Sequence, residues 1–501
     1  NALLTIDPGP KNKFSVFYYK SQDQFSLNNT TDYRYSSQLS SMKWNYIPND
    51  RLSMNTSLAY SNFENNIAES DWLRRSGAYQ IYSDLDYYSL KWGISLSASE
   101  KHLLKFGFSG IFYDINPGEL TPFGAESTVI PKNSRYESGI ETAIYFSDDY
   151  SLSDRLKLKA GLRFSQFLPI EHIEKYKHET AIGLSGALGN DSVLSREYRT
   201  GQLFLGPEPR IALRYSLNNQ SSLKFSYSRM YQYINLLSNT TVAAPSDLWK
   251  LSDAGLPPFV SDQVSLGYYL NLQGNTVELS AEGFFKGLRN IPEYKNGARL
   301  LLNDELENDL LDARGHAYGL ELFAKKASGR LTGWVSYTWS RSLRRTSSGI
   351  EDEQINNNEY FPSYFDKPHN FATIANFHIT RRWRISSTFS CSTGRPVTLP
   401  ELKYEYNGYQ LISYSDRNEY RLPDYHRLDL ALTFDESLRI RKRWKGSWTL
   451  SLINVYGRKN VYSVFYQKDQ ASYDNTNKPF NLYKMYIIGQ PLPTLTYNMS
   501  F

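Results

Sequence analysis

Along the chain, apolar and polar residues change places with a period of two. Over residues 156–164, Leu156, Leu158, Ala160, Leu162 and Phe164 share one side, while Lys157, Lys159, Gly161 and Arg163 share the other. Val264, Leu266, Tyr268 and Leu270 stand in the same way against Ser265, Gly267, Tyr269 and Asn271. Val277, Leu279, Ala281 and Phe285 face away from Glu278, Ser280, Glu282 and Lys286, and Leu428, Leu430, Leu432 and Phe434 lie opposite Arg427, Asp429, Ala431 and Thr433. A period of two sends successive side chains to opposite faces of a strand. About 18 such segments are expected, each near the roughly 10 residues that a tilted membrane strand needs. No comparable helical period is present. The last segment alternates Leu495, Tyr497, Met499 and Phe501 with Thr494, Thr496, Asn498 and Ser500, up to the final residue. A terminal strand frays unless both its edges are held.

Short polar turns are predicted near Asn49-Asp50, Ser97–Glu100, Ser153-Asp154, Asn218-Asn219, Gly274-Asn275, Ser328-Gly329 and Arg381-Arg382. They alternate with long irregular stretches at 66–82, 116–136, 168–206, 236–261, 291–314, 346–367 and 398–422. All long connections then fall at one end, as in outer-membrane barrels with short periplasmic turns and long outer loops. The expected fold is all-β, a transmembrane antiparallel up-and-down β-barrel. Backbone groups in hydrocarbon must all be paired, so Leu495, Tyr497, Met499 and Phe501 are expected on a closing strand bonded to an early one. Charge at Leu158, Leu266, Leu279 or Leu430 should be costly, and charge at Ser265 or Ser280 tolerated.

Composition agrees with strands and removes other classes. The 40 Tyr, 26 Phe and 9 Trp, against 5 Met, make a strand-favouring mix, although mean hydropathy is only −0.53. No apolar run is long enough for a membrane helix. The 56 basic and 51 acidic residues are interspersed, giving +5 without the one-sided basic face of a nucleic-acid binder. Cys391 is the only cysteine, so neither an internal disulfide nor a cysteine-based metal site is possible.

Signals for covalent chemistry are weak. His172 and His178 are six apart beside Glu171 and Glu174, without the i,i+4 helical spacing of a zinc motif, and are expected in a solvated loop. Glu351, Asp352 and Glu353 are consecutive, and so do not converge as the alternating ligands of a calcium loop do. No G-x-S-x-G nucleophile turn occurs. Neither an enzyme, nor a metal site, nor a cofactor is expected.

Longer motifs carry a resemblance. Residues 208–239, 317–342, "FPSYFDKPHNF" (361–371), "STGRPVTLP" (392–400), "RLPDYHRLDLAL" (421–432) and "INVYGRKNVYSVFY" (453–466) resemble the barrel of TonB-dependent outer-membrane transporters, most closely those of the Bacteroidota. That family places an N-terminal plug inside a barrel of about 22 strands, with a preceding segment that binds TonB. The resemblance implies that residues 1–501 are barrel, with the plug and about four strands upstream of Asn1; a plugless passive pore or a scaffold barrel in a larger complex is the alternative. It implies active import of a siderophore, cobalamin, peptide or glycan across the Gram-negative outer membrane. Its partners would be TonB, outer-membrane lipid and lipopolysaccharide, and a lipoprotein or other outer-membrane subunit. Lys157, Lys159, Arg163, Arg210, Arg214, Glu278, Glu282, Arg427 and Asp429 are expected to line the lumen. Tyr231, Tyr233, Trp249, Tyr294, Tyr364 and Arg395 are the expected cargo-binding residues near the outer mouth.

Overall fold

A computed structural model describes residues 1–27, 31–69, 75–178, 191–237, 247–298, 302–303, 305–406, 409–437, 444–468 and 480–500. Phe501 lies outside the described residues. The chain forms two compact units. The first comprises Asn1–Ala212, Tyr227–Asp262 and Arg289–Ala313, the second Leu213–Ser226, Gln263–Leu288 and Arg314–Phe501.

In the first unit, strands Ala2–Gly9, Asn12–Leu27, Thr31–Asn49, Leu52–Glu69, Tyr79–Ser97, His102–Pro122, Glu137–Ser151 and Leu156–His178 each pair antiparallel with the next. In the second, Leu331–Thr346, His369–His378, Trp383–Ser392, Tyr425–Asp435, Lys445–Ile453 and Leu492–Ser500 do the same. Among the described residues, 22 strands belong to one sheet. Three of these, Lys132–Asn133, Asp191–Thr200 and Phe361–Pro362, add to strands that also have a longer partner, which leaves nineteen positions. Local chemistry closes the tight turns. Asn49 accepts the backbone N–H of Arg51 and Leu52, Ser153 that of Leu156, and Asn218 that of Ser221.

Alternation decides which side of each strand is apolar. Leu4, Val16, Met42, Leu58 and Leu90 stand in register across five neighbouring strands, 39 to 59% exposed. A parallel row holds Tyr60, Tyr88 and Phe112, with ring centroids 4.9 and 6.2 Å apart. In the second unit Leu266, Val335, Ile385, Leu450 and Leu495 are exposed in the same way. Apolar surface this continuous is not left to water; hydrocarbon covers it.

Two expectations are corrected. Strands outrun the roughly 10-residue membrane length: His102–Pro122 has 21 residues and Leu156–His178 has 23. Much of the stretches read as loops at 116–136 and 168–206 is therefore paired strand, with Asp191–Thr200 continuing the ladder. His172 is thus on a strand, and its Nε2 lies 2.7 Å from Ser138 Oγ. Ser265, expected to tolerate charge, is 8% exposed with its hydroxyl 2.8 Å from that of Ser226, so a charge there would be desolvated.

Candidate functional site

The face turned away from the apolar belt carries the charges. In the first unit Lys157, Lys159, Arg163 and Arg210 all lie on it. Arg163 donates to Glu141 at 2.9 Å and to the buried Glu208, which also holds Arg210 at 3.1 Å; Lys159 reaches Asp149 at 3.4 Å. In the second unit Arg214, Glu278, Glu282, Arg427 and Asp429 share the corresponding face. Lys325 pairs with Glu278 at 3.1 Å, Tyr269 donates to Glu282, and Arg427 pairs with Asp429 at 2.9 Å. Most of these charges are matched by an opposite charge or a hydroxyl, on a face that they keep polar.

Part of that face is apolar instead. Tyr87, Tyr113, Ile115 and Phe167 stand at positions where alternation would put polar residues, and the hairpin Ile234–Leu237/Leu248–Leu251 packs on them. Tyr233 is 2% exposed, its ring stacked 5.1 Å from Phe167 and its hydroxyl 2.7 Å from Ser165. Tyr231 and Trp249 border the same cluster, and Tyr294 borders a second one of Leu237, Leu248 and Leu306. Tyr231, Tyr233, Trp249 and Tyr294 thus lie where hairpins pack against the strands. Tyr233 is closed to a ligand in this arrangement.

Lys250 pins the hairpin. Only 7% of its side chain is exposed, and its Nζ lies 2.7 Å from Glu137, 2.9 Å from Asp253 and 2.7 Å from Glu307. Burial alone would push the ammonium down, but the three carboxylates outweigh it and raise its pKa above the ordinary lysine value. The knot floors a cavity of about 250 Å³ that Arg135, Glu171 and Asn303 also line.

The second unit builds a different pocket from four of the quoted motifs, 361–371, 392–400, 421–432 and 453–466. Asp366, with a fully buried side chain, accepts from Arg341 at 3.3 Å, from Arg421 and from the backbone N–H of Ser342 at 2.7 Å. Arg421 also donates to the Asp366 carbonyl at 2.8 Å and the Gly394 carbonyl at 3.0 Å, and the Gly394 N–H donates to Asp424 at 2.9 Å. Only glycine fits at 394, because a Cβ there would land on the Leu422 carbonyl oxygen. Each clamped residue is followed by a cation: Lys367 after Asp366, and Arg395 after Gly394. Both line a cavity of about 400 Å³, shared with Asn370, Ser390, Ser392 and Arg427.

Arg395 donates to the Tyr462 carbonyl at 2.9 Å. Burial lowers the pKa of Lys367, and the Arg395 charge lowers it further; burial also lowers that of Arg395. No carboxylate lines the cavity among the described residues. Lys367, Asp366 and Arg421 were not among the residues singled out from sequence, although all three lie inside quoted motifs. Tyr364 sits in the turn before Asp366, half-buried. Leu495 and Met499 are 65 and 54% exposed, and the Tyr497 ring lies 4.6 Å from that of Trp448, tilted against it, on the one neighbouring strand whose register is described.

A strand-dominated chain whose two units each present an exposed apolar face and an opposite charged one has the architecture of an outer-membrane β-barrel. The family model described as "TonB dependent receptor-like, beta-barrel" matches residues 4–457, and the chain belongs to that family. Its members are outer-membrane receptors and transporters rather than enzymes. No curated protein matches the chain. Among solved structures it is similar to the ferric-catecholate import receptor Fiu from E. coli K12 in its closed form (TM-score 0.64, 10% identity, 99% of this chain and 73% of that one). It is similar also to the ferric yersiniabactin uptake receptor FyuA from Yersinia pestis (0.62, 12%, 100% and 70%) and to the copper transporter OprC (0.61, 11%, 99% and 70%). At such identities the likeness is one of fold.

Proposed function

We propose that the chain is the barrel of an active importer that takes a bulky nutrient across the outer membrane with energy delivered through TonB. Cargo would enter at the end away from the tight turns and meet the hairpin-lined inner face. A plug filling the barrel, with a TonB-binding segment before it, would belong to the same protein upstream of residue 1. Residues 1–501 then act as a rigid wall around a moving plug. They do no covalent chemistry. Outer-membrane lipid and lipopolysaccharide surround the belt, and a lipoprotein or other outer-membrane subunit is a further candidate partner at the mouth. Siderophore, cobalamin, peptide and glycan are the cargo classes to be tried, and the motifs point to a Bacteroidota-type member.

The observation that carries this reading is the pairing of a family match over most of the chain with an inner face that is charged, pocketed and built on clamped motifs. Arg395, at the pocket, is the strongest of the candidate cargo-binding residues; Tyr364 lies in the turn just before Asp366, and Tyr231, Trp249 and Tyr294 would serve by holding the hairpins of the first unit in place. The test is uptake of labelled members of the four cargo classes by cells expressing the complete receptor, with and without TonB and with the proton gradient collapsed. Import that needs both supports the reading. Import indifferent to both replaces it with the passive pore.

A further inference from the structure

Lys367 and Arg395 line one cavity of the inner face, whose described lining contains no carboxylate. Arg427, in the same cavity, is matched by Asp429 at 2.9 Å. Lys367 has no carboxylate partner among the described residues, and Arg395 is held by a carbonyl, not by an acid. Both cations are only partly exposed, and the backbone that carries them is clamped by the buried Asp366 and by Arg421. Two like charges fixed at the wall of one cavity repel each other and lose hydration together, a cost that an entering anion removes. Asn370, Ser390 and Ser392 add neutral hydrogen-bonding groups around the same space.

We propose that Lys367 and Arg395 form a subsite for an anionic group of the cargo, a carboxylate or a phosphate, with Arg395 supplying paired N–H donors and Lys367 a point charge. This rests on the importer reading and narrows its cargo to molecules that carry such a group. Neutral glycans would gain nothing from the site. The same anion chemistry could come from a carboxylate elsewhere in the receptor, and the experiment separates the two sources.

The test is isothermal titration of the complete detergent-solubilised receptor with citrate and with inorganic phosphate, for wild type, Lys367→Gln, Arg395→Gln, Arg395→Lys and the double glutamine variant. The expected result is saturable, salt-weakened binding of at least one probe. Each glutamine variant should lose about tenfold or more in affinity, Arg395→Lys less, and Arg381→Gln at a tight turn nothing. Removing one of two repelling charges should not unfold the protein, and an unchanged heat-modifiable gel band checks this. Equal affinity in the double variant would overturn the proposal. So would a wild type that binds neither probe while both glutamine variants melt lower, since the cations would then already hold an internal carboxylate. Uptake distinguishes the two levels. TonB-dependent import undiminished in the double variant defeats the subsite and leaves the importer standing, whereas TonB-independent import by wild type defeats the importer itself.

Discussion

Ser57 and Leu58 are adjacent, at one depth, on opposite faces of strand Leu52–Glu69, so a pair of substitutions there isolates the face. Leu58 is 51% exposed and stands between Met42 and Leu90 on the apolar belt, while Ser57 stands between Lys43 and Lys91. Leu58 lies six residues past Leu52, where the strand begins. At about 3.3 Å per residue and a tilt of about 40°, that places it roughly 15 Å above the turn, near the middle of an apolar band about 25 Å tall. Leu58→Lys should therefore cost about 2–4 kcal/mol, or roughly 30- to 800-fold in the folding equilibrium. Ser57→Glu puts a carboxylate between two lysines on the wetted face and should be neutral or slightly stabilising. The assay is urea-dependent folding of the complete receptor into phospholipid vesicles, scored by the heat-modifiable gel shift. Equal midpoints for the two variants would refute the assignment of faces, as would a larger loss for Ser57→Glu.

Other outcomes follow from the clamps. Lys250→Met strands three carboxylates and should destabilise the first unit by about 3–5 kcal/mol, reduced by their partial exposure, as seen in faster limited proteolysis around residues 247–256. Glu307 is pulled below its ordinary value of 4.5 by Lys250, against the upward push of burial. Its contribution is present above the unfolded carboxylate range and lost as pH falls through the folded value, so the wild-type melting temperature should drop in acid more than that of Lys250→Met. Asp366→Asn should leave Arg341 and Arg421 without their counter-charge and, like Gly394→Ala, lower the yield of folded receptor; a full yield for both would mean that these motifs do not clamp the pocket. Deleting strand Leu492–Ser500, which pairs along its length with Lys445–Ile453, should impair assembly more than removing nine residues from a loop, because it bares that neighbour's edge.

Strand positions and tight turns were legible because the membrane imposes a period of two and polar punctuation. Strand lengths were not, because above the bilayer both faces meet water and alternation lapses, as in the outer half of His102–Pro122, where Asp114 and Asn116 follow Phe112 on the belt side. That Tyr231, Tyr233 and Trp249 pack in or beside one apolar cluster was not legible, because sequence does not reveal what a side chain touches. A clue was present: Tyr87, Tyr113 and Phe167 are aromatic on the polar face, which means something packs there. Arg395 could be picked from its motif. Lys367 could not be joined to it, because the two are 28 positions apart and meet only through the strand register and the Arg421 bridge.

The central claim, a plugged and energised barrel, is tested most directly by conductance in planar bilayers. The complete receptor should hold the membrane closed, and the same protein with its plug deleted should open large, steady channels, since a lumen of that width passes small solutes freely when empty. A complete receptor that conducts steadily from the moment of insertion, with no change on deletion of any segment before the barrel, would contradict it.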